Sequence, residues 1–159
     1  ENQVVEALAH TAAPAADLPA THEGATQLLT ATAEDLGVDT AGMALVDSSG
    51  LSPDNRVSAG QLADVVAGVA RTPALATVLE GLPRPGEDST LGDRFPDAPA
   101  RQAVAAKTGT LDQTVSLTGT VTTTSGRVLA FSIICSDLQW KLEPARAAVD
   151  EAVSAVAGL

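Results

Sequence analysis

Apolar positions recur along this chain with two different periods, and the period changes near Ala103. From Asn2 to Thr11, Val4, Val5, Leu8 and Ala12 follow helical spacing, and APAADLPATHEG, with its two prolines, ends the pattern. Ala25, Leu28, Leu29, Thr32 and Leu36 mark one face of a second helix, stopped at Gly37, where a left-handed cap is expected. GMALVD, residues 42–47, reads as a short strand that runs into the turn formers DSSGLSPDN. Ser58 and Gln61 have capping-box spacing ahead of Leu62, Val65, Val66 and Val69, which predicts a third helix. Thr72-Pro73 opens a short helix carrying Leu75, Val78 and Leu79 and closed by Gly81; residues 83–101 then read as a long loop.

Beyond Ala103 the period is two. AVAAKTGT, then QTVSLTGTVTT with Val115, Leu117, Gly119 and Val121 alternating, then RVLAFSIIC after a Ser125-Gly126 turn, predict three consecutive antiparallel strands. A last helix starts at Glu143-Pro144 and sets Ala148, Val149, Ala152, Val153 and Val156 on one side, suited to lie across that sheet. The expected fold class is α/β in the broad α+β sense, an antiparallel sheet flanked by helices. Its 159 residues suffice for a single compact domain or for a large piece of a bipartite domain.

Composition removes several function classes. The formal charge of −11, with no basic run, opposes binding to a phosphate backbone, so no nucleic-acid partner is expected. The longest apolar stretch, Val128 to Cys135, is too short to span a bilayer, and the start of the chain shows no targeting signal. Cys135, the single cysteine, has no second Cys or His at ligand spacing. His10 and His22 stand twelve apart without an acidic partner at triad-like spacing, and read as solvated or locally satisfied. Glu34 with Asp35 and Asp150 with Glu151 read as solvated helix faces. No metal and no cofactor is expected.

Lys107 is one of only two lysines, and it stands in AAKTGTL, residues 105–111. A lysine on an edge strand commonly blocks sheet-to-sheet association. Here, however, Thr108, Gly109 and Thr110 follow it, so that two hydroxyls, a bare backbone and a cation share one short edge suited to a carboxylate. A phosphate loop would need glycines ahead of the lysine, where this chain has AVAA.

K-T-G belongs with S-x-x-K and S-D-N in the penicillin-recognising serine enzymes. Further matches stand in order along the chain. DSSGLSPDN, residues 47–55, resembles a D-G-S-G-L-S-x-x-N loop, and GEDSTLGDR, 86–94, resembles G-x-D-G-T-L-x-x-R; each departs at one glycine, now Ser48 and Ser89. Asn2 opens the first helix 105 positions before Lys107, as the asparagine of an S-x-N motif does. On these residues the chain resembles the D-alanyl-D-alanine carboxypeptidase/endopeptidase family, the low-molecular-mass class C penicillin-binding proteins. The resemblance covers all 159 residues as the C-terminal portion of a longer β-lactamase/transpeptidase-like domain, beginning just after the S-x-N serine. A class A β-lactamase is a weaker match, because DSSGLSPDN occupies the interval where its deacylating glutamate would lie.

The resemblance implies a serine acyl-enzyme mechanism on peptidoglycan peptides or β-lactams, and hence a location outside the cytoplasm. No serine here has a lysine three positions on, so the nucleophile is expected from an N-terminal segment of the same protein, the chain's main partner. The catalytic residues supplied here would be Lys107 and Asn2. Thr108, Gly109, Thr110, Ser49 and Leu51 would bind substrate, with the Thr110 N–H as an oxyanion-hole donor. The competing expectation is a binding domain of the cell envelope, degenerate at the nucleophile.

Overall fold

The computed structural model describes residues 2–97 and 99–159, so that Glu1 lies outside the described residues. The chain divides into two compact units, residues 1–61 and 62–159.

The first unit pairs α1 (Asn2–Ala12) with α2 (His22–Asp35) through a 3-10 turn at Ala13–Ala16. Thr21 caps α2 by accepting the Gly24 N–H at 3.2 Å. At its other end Gly37 takes φ 86°, and the Val38 N–H reaches Ala33 O at 3.0 Å, the six-to-one bond of a Schellman motif. The expected inward face of α1 is corrected. Val4, Val5 and Leu8 are 60, 43 and 64% exposed, whereas Ala9 is buried, as is Ala13 just beyond the helix. The small alanines permit close helix approach, so they rather than the larger side chains occupy the contact with α2.

The strand expected over 42–47 is also corrected. Only Ala44 pairs, exchanging both backbone bonds with Arg56 at 2.9 and 2.7 Å. The next donor, Val46 N–H, goes instead to Asn55 Oδ1 at 2.7 Å, so a side chain takes the place of a partner strand. At Ser58 the capping box forms reciprocally: Ser58 N–H donates to Gln61 Oε1 at 2.9 Å and Gln61 N–H to Ser58 Oγ at 3.1 Å. It opens α3 (Ala59–Arg71).

In the second unit a 3-10 turn at Pro73–Leu75 leads into α4 (Ala76–Glu80), and one turn of helix, α5 (Ala100–Ala103), precedes the sheet. The sheet comprises β1 (Val104–Leu111), β2 (Thr114–Thr122) and β3 (Val128–Cys135), antiparallel in the order β1-β2-β3. Val115, Leu117, Gly119 and Val121 are the buried positions of β2, as their alternation predicts. The last helix, α6 (Leu142–Ala157), lies against β2 through Val149, Val153 and Ala157. Ala148 and Ala152, expected on that inner side, are exposed, because the buried stripe runs one position further along the helix.

The long loop before the sheet is not merely a connection. Leu91 and Phe95 enter the same core, at 0 and 2% exposure. Arg94 between them forms a two-pronged ion pair with Asp150 of α6, its Nε 3.0 and 3.1 Å from the two carboxylate oxygens. The guanidinium also lies 5.6 Å from the Phe95 ring centroid. Asp150 is therefore not the solvated carboxylate that its helix position suggested. Its side chain is 22% exposed and that of Arg94 14%, so the pair is largely desolvated. Asp150→Asn is expected to cost about 2 kcal/mol, between the exposed and fully buried cases, because the arginine stays inside without its counter-charge. Chemical denaturation of the variant checks this, and Arg94→Ala/Asp150→Ala in a double-mutant cycle isolates the pair.

Candidate active site

β1 is an edge strand, and its hydrogen-bond directions decide what it can offer. The Ala106 N–H points away from β2, to Pro83 O at 2.9 Å. Because that direction alternates with period two, Thr108 and Thr110 also direct their backbone groups out of the open edge. The Thr108 carbonyl accepts from Lys107 Nζ at 2.7 Å, so the ammonium lies along this edge. Two outward N–H groups and a cation can together hold an anionic, extended peptide end.

Side chains alternate as well, which separates residues that the sequence placed together. Thr108 and Thr110 pair with Leu117 and Val115 on the face that α6 covers, whereas Lys107 and Gly109 pair with Thr118 and Ser116 on the other face. The four residues thus share an edge but not a face. A Cβ at Gly109 would stand 2.2 Å from Ser116 Oγ, so the glycine relieves a contact within the sheet as well as leaving its edge bare.

On the α6 side, Thr108, Gly109 and Thr110 border a cavity of about 610 Å³ whose other walls are Ser89, Thr90, residues 92–94, Val115 of β2 and α6. Arg146 of α6 donates to Thr110 Oγ1 at 3.3 Å and is ion-paired with Glu143. Sequence reasoning missed Arg146, since 36 residues separate it from Thr110 and no local pattern links them. The GEDSTLGDR segment has its role here: Ser89, Thr90 and residues 92–94 form the cavity wall, and Ser89 Oγ accepts the Leu91 N–H at 3.2 Å.

Asn2, Ser49 and Leu51 belong to the first unit. Asn2 is exposed at the start of α1. In the DSSGLSPDN loop, Asp47 accepts from the N–H groups of Gly50 and Ser52 at 2.7 and 2.6 Å and from Asn55 Nδ2 at 2.9 Å. Partial burial pushes its pKa up, but these hydrogen bonds, that of Asn55 first, outweigh it and hold the carboxyl below the usual range. Gly50 takes φ 79° at the turn. Leu51 is 53% exposed.

Glu6 was not singled out in the sequence, yet it fastens this loop to α1. Its Oε1 accepts the N–H groups of Ser48 and Ser49 at 2.9 and 2.8 Å. Burial of the carboxylate opposes ionisation, and the bonds from Ser49 and Ser48 prevail, so its pKa is lowered. His10 and His22 do contact each other, with rings edge to face at 4.6 Å. Glu6, one helical turn before His10, lies within 3.9 Å of both, a local contact that the spacing along the chain does not reveal.

Known proteins resemble this chain in sequence and fold. The chain is 41% identical over 143 residues to carboxypeptidase DacB of Mycolicibacterium smegmatis, a match that covers 86% of the chain and 31% of that protein. It is 40% identical over 104 residues to a D-alanyl-D-alanine carboxypeptidase of Actinomadura sp., covering 62% of the chain and 19% of the relative. The crystal structure of penicillin binding protein 4 (dacB) from Haemophilus influenzae, complexed with a β-lactam, superposes with a TM-score of 0.81 at 27% identity, over 95% of this chain and 37% of that one. The chain thus spans between about a fifth and somewhat over a third of the length of these relatives, and what it shares with the last is the antiparallel sheet with its flanking helices. Residues 1–156 fit the D-Ala-D-Ala carboxypeptidase 3 (S13) family, and the chain belongs to that family.

Proposed function

We propose that the chain is the portion of a serine-type D-Ala-D-Ala carboxypeptidase/endopeptidase that carries the K-T-G and S-x-N walls of its site. The substrate is a peptidoglycan stem peptide, with β-lactams as acylating mimics, and the enzyme works outside the cytoplasm. The serine of an S-x-x-K motif on another segment of the protein attacks the D-Ala-D-Ala carbonyl, expels the terminal D-Ala, and leaves an acyl-enzyme for water to hydrolyse. Lys107 holds the free carboxylate of the leaving residue at the open edge of β1, while Thr108 and Thr110, whose hydroxyls lie on the opposite face, contribute their outward backbone groups. The Thr110 N–H donates to the carbonyl oxygen as it becomes an oxyanion, a contribution of about 2.7–4 kcal/mol when removed in related chemistry. Asn2 hydrogen-bonds the substrate amide, and Ser49 and Leu51 border the side-chain pocket.

The observation that carries the reading is the open edge of β1, where the Thr108 and Thr110 N–H groups face outward beside the Lys107 ammonium. The exposed apolar side chains of α1, Val4, Val5 and Leu8, suit cover by the segment that brings the serine. Incubating the full-length protein with a fluorescent penicillin is expected to yield a covalent adduct of one label per chain on the S-x-x-K serine, together with D-Ala release from a pentapeptide. A full-length protein that carries that serine and neither labels nor releases D-Ala would overturn the reading. One that lacks the serine but binds stem peptide would identify a degenerate binding domain instead.

A further inference from the structure

The cluster in the first unit has no role in that mechanism and leaves its own polar groups incompletely satisfied. Glu6 Oε1 is engaged by two backbone N–H groups, but Glu6 Oε2 is buried and, among the described residues, without a hydrogen-bond partner. That oxygen lies 3.5 Å from His22 Nδ1 and 3.9 Å from His10 Nε2, and the two nitrogens face each other at 3.3 Å. One proton can serve the nitrogen pair, which leaves the carboxylate oxygen unmatched; a cation among the three atoms satisfies all of them at once.

The spacing suits such an ion. Metal–nitrogen bonds of about 2.0–2.1 Å at tetrahedral angles set two imidazole nitrogens about 3.3 Å apart, the separation found here. All three ligand atoms lie within 4.8 Å of one another, and the wider distances belong to the carboxylate, whose terminal torsion is soft. Two imidazoles with one carboxylate suit zinc and its neighbours rather than calcium or magnesium, which favour all-oxygen shells.

We propose that Glu6, His10 and His22 form a site for a divalent transition-metal ion of the zinc type. The three protein ligands leave one position for water. The ion joins the last turn of α1 to the first residue of α2, and through Glu6 Oε1 it stiffens the Ser48–Ser49 turn. It is a structural clip on the helix that Asn2 begins. The side chain of His22 is 69% exposed, so the ion has an open route in.

The test is calorimetric titration of the tag-free full-length protein with ZnCl2, with MgCl2 as the control, alongside thermal melts with and without zinc. One zinc per chain, a raised melting midpoint and no response to magnesium are expected. His10→Gln and His22→Gln should each weaken binding by at least about tenfold. His22→Gln removes an exposed ring, and an unchanged metal-free melt for it separates loss of a ligand from loss of the fold. No zinc uptake, or uptake that survives both substitutions, would overturn the proposal.

Discussion

Lys107→Ala in the full-length protein is expected to slow acylation by a labelled penicillin about 100-fold while leaving the melting midpoint nearly unchanged. The stability half of this expectation follows from position: Lys107 is exposed, and the bond its ammonium makes is to the carbonyl of its own neighbour, Thr108. The kinetic half follows from the chemistry of the edge. A carboxylate held in a closed site without its cation loses a charge-assisted hydrogen bond, and truncating one side of such a pair costs about 2–5 kcal/mol. At about 1.36 kcal/mol per decade, about 2.7 kcal/mol, in the lower part of that range, is about 100-fold. Lys107→Arg should recover some of the rate, because it restores charge on a larger, planar head. The competing role for an edge lysine, to keep sheets of different molecules apart, makes the opposite forecast: alanine would leave acylation intact and promote self-association. Acylation rate and sedimentation measured on one preparation therefore separate the two.

What could be read from the residues follows the range of the interactions. The three strands were legible because one face of β2 is buried along its whole length, so burial and sequence alternate together from Val115 to Val121. The box at Ser58 and Gln61 and the stop at Gly37 are local chemistry, complete within six residues, and both formed as expected. The GMALVD segment misled because an apolar run has no means of showing that a side-chain amide, that of Asn55, will take its backbone donor. In α1 the apolar stripe was real, yet the helix contact went to the smaller residues on a neighbouring face.

Of the candidate site, the contiguous edge was visible and its cross-chain supports were not. K-T-G is three adjacent residues, but the bond from Arg146 to Thr110 spans 36 positions, that from Ser49 to Glu6 spans 43, and the Arg94–Asp150 pair spans 56. None of these carboxylates or guanidinia differs in local pattern from a solvated one. Spacing along the chain likewise separated His10 from His22, which only the turn between α1 and α2 brings together. Period-two geometry also refined the motif itself, by setting Lys107 and the two threonines on opposite faces of β1.

Gly119→Ala is expected to be the most damaging single-methyl addition in the sheet. Gly119 lies in the central strand opposite Ala106, in the narrow pairing class where backbones approach most closely. A Cβ there would come within 2.1 Å of Ala105 O and 2.6 and 2.7 Å of Ala106 Cα and Cβ. These atoms belong to backbone and to the stub of an alanine, so no rotamer change relieves the overlap, and β1 must move away from β2. The cost is about 3 kcal/mol or more, or a fall in melting midpoint of about 6–12 °C for a chain of this size. Gly109→Ala is the informative contrast, because its clash is with a hydroxyl, Ser116 Oγ, that can rotate aside. It should cost about 1 kcal/mol, and less still when combined with Ser116→Ala. The residue moved by the first substitution is the one immediately before Lys107, so the Lys107–Thr110 edge shifts with it. In the full-length protein Gly119→Ala should therefore slow penicillin acylation even at temperatures where the protein remains folded. A Gly119→Ala variant with an unaltered melt would mean that β1 and β2 do not pair in this register.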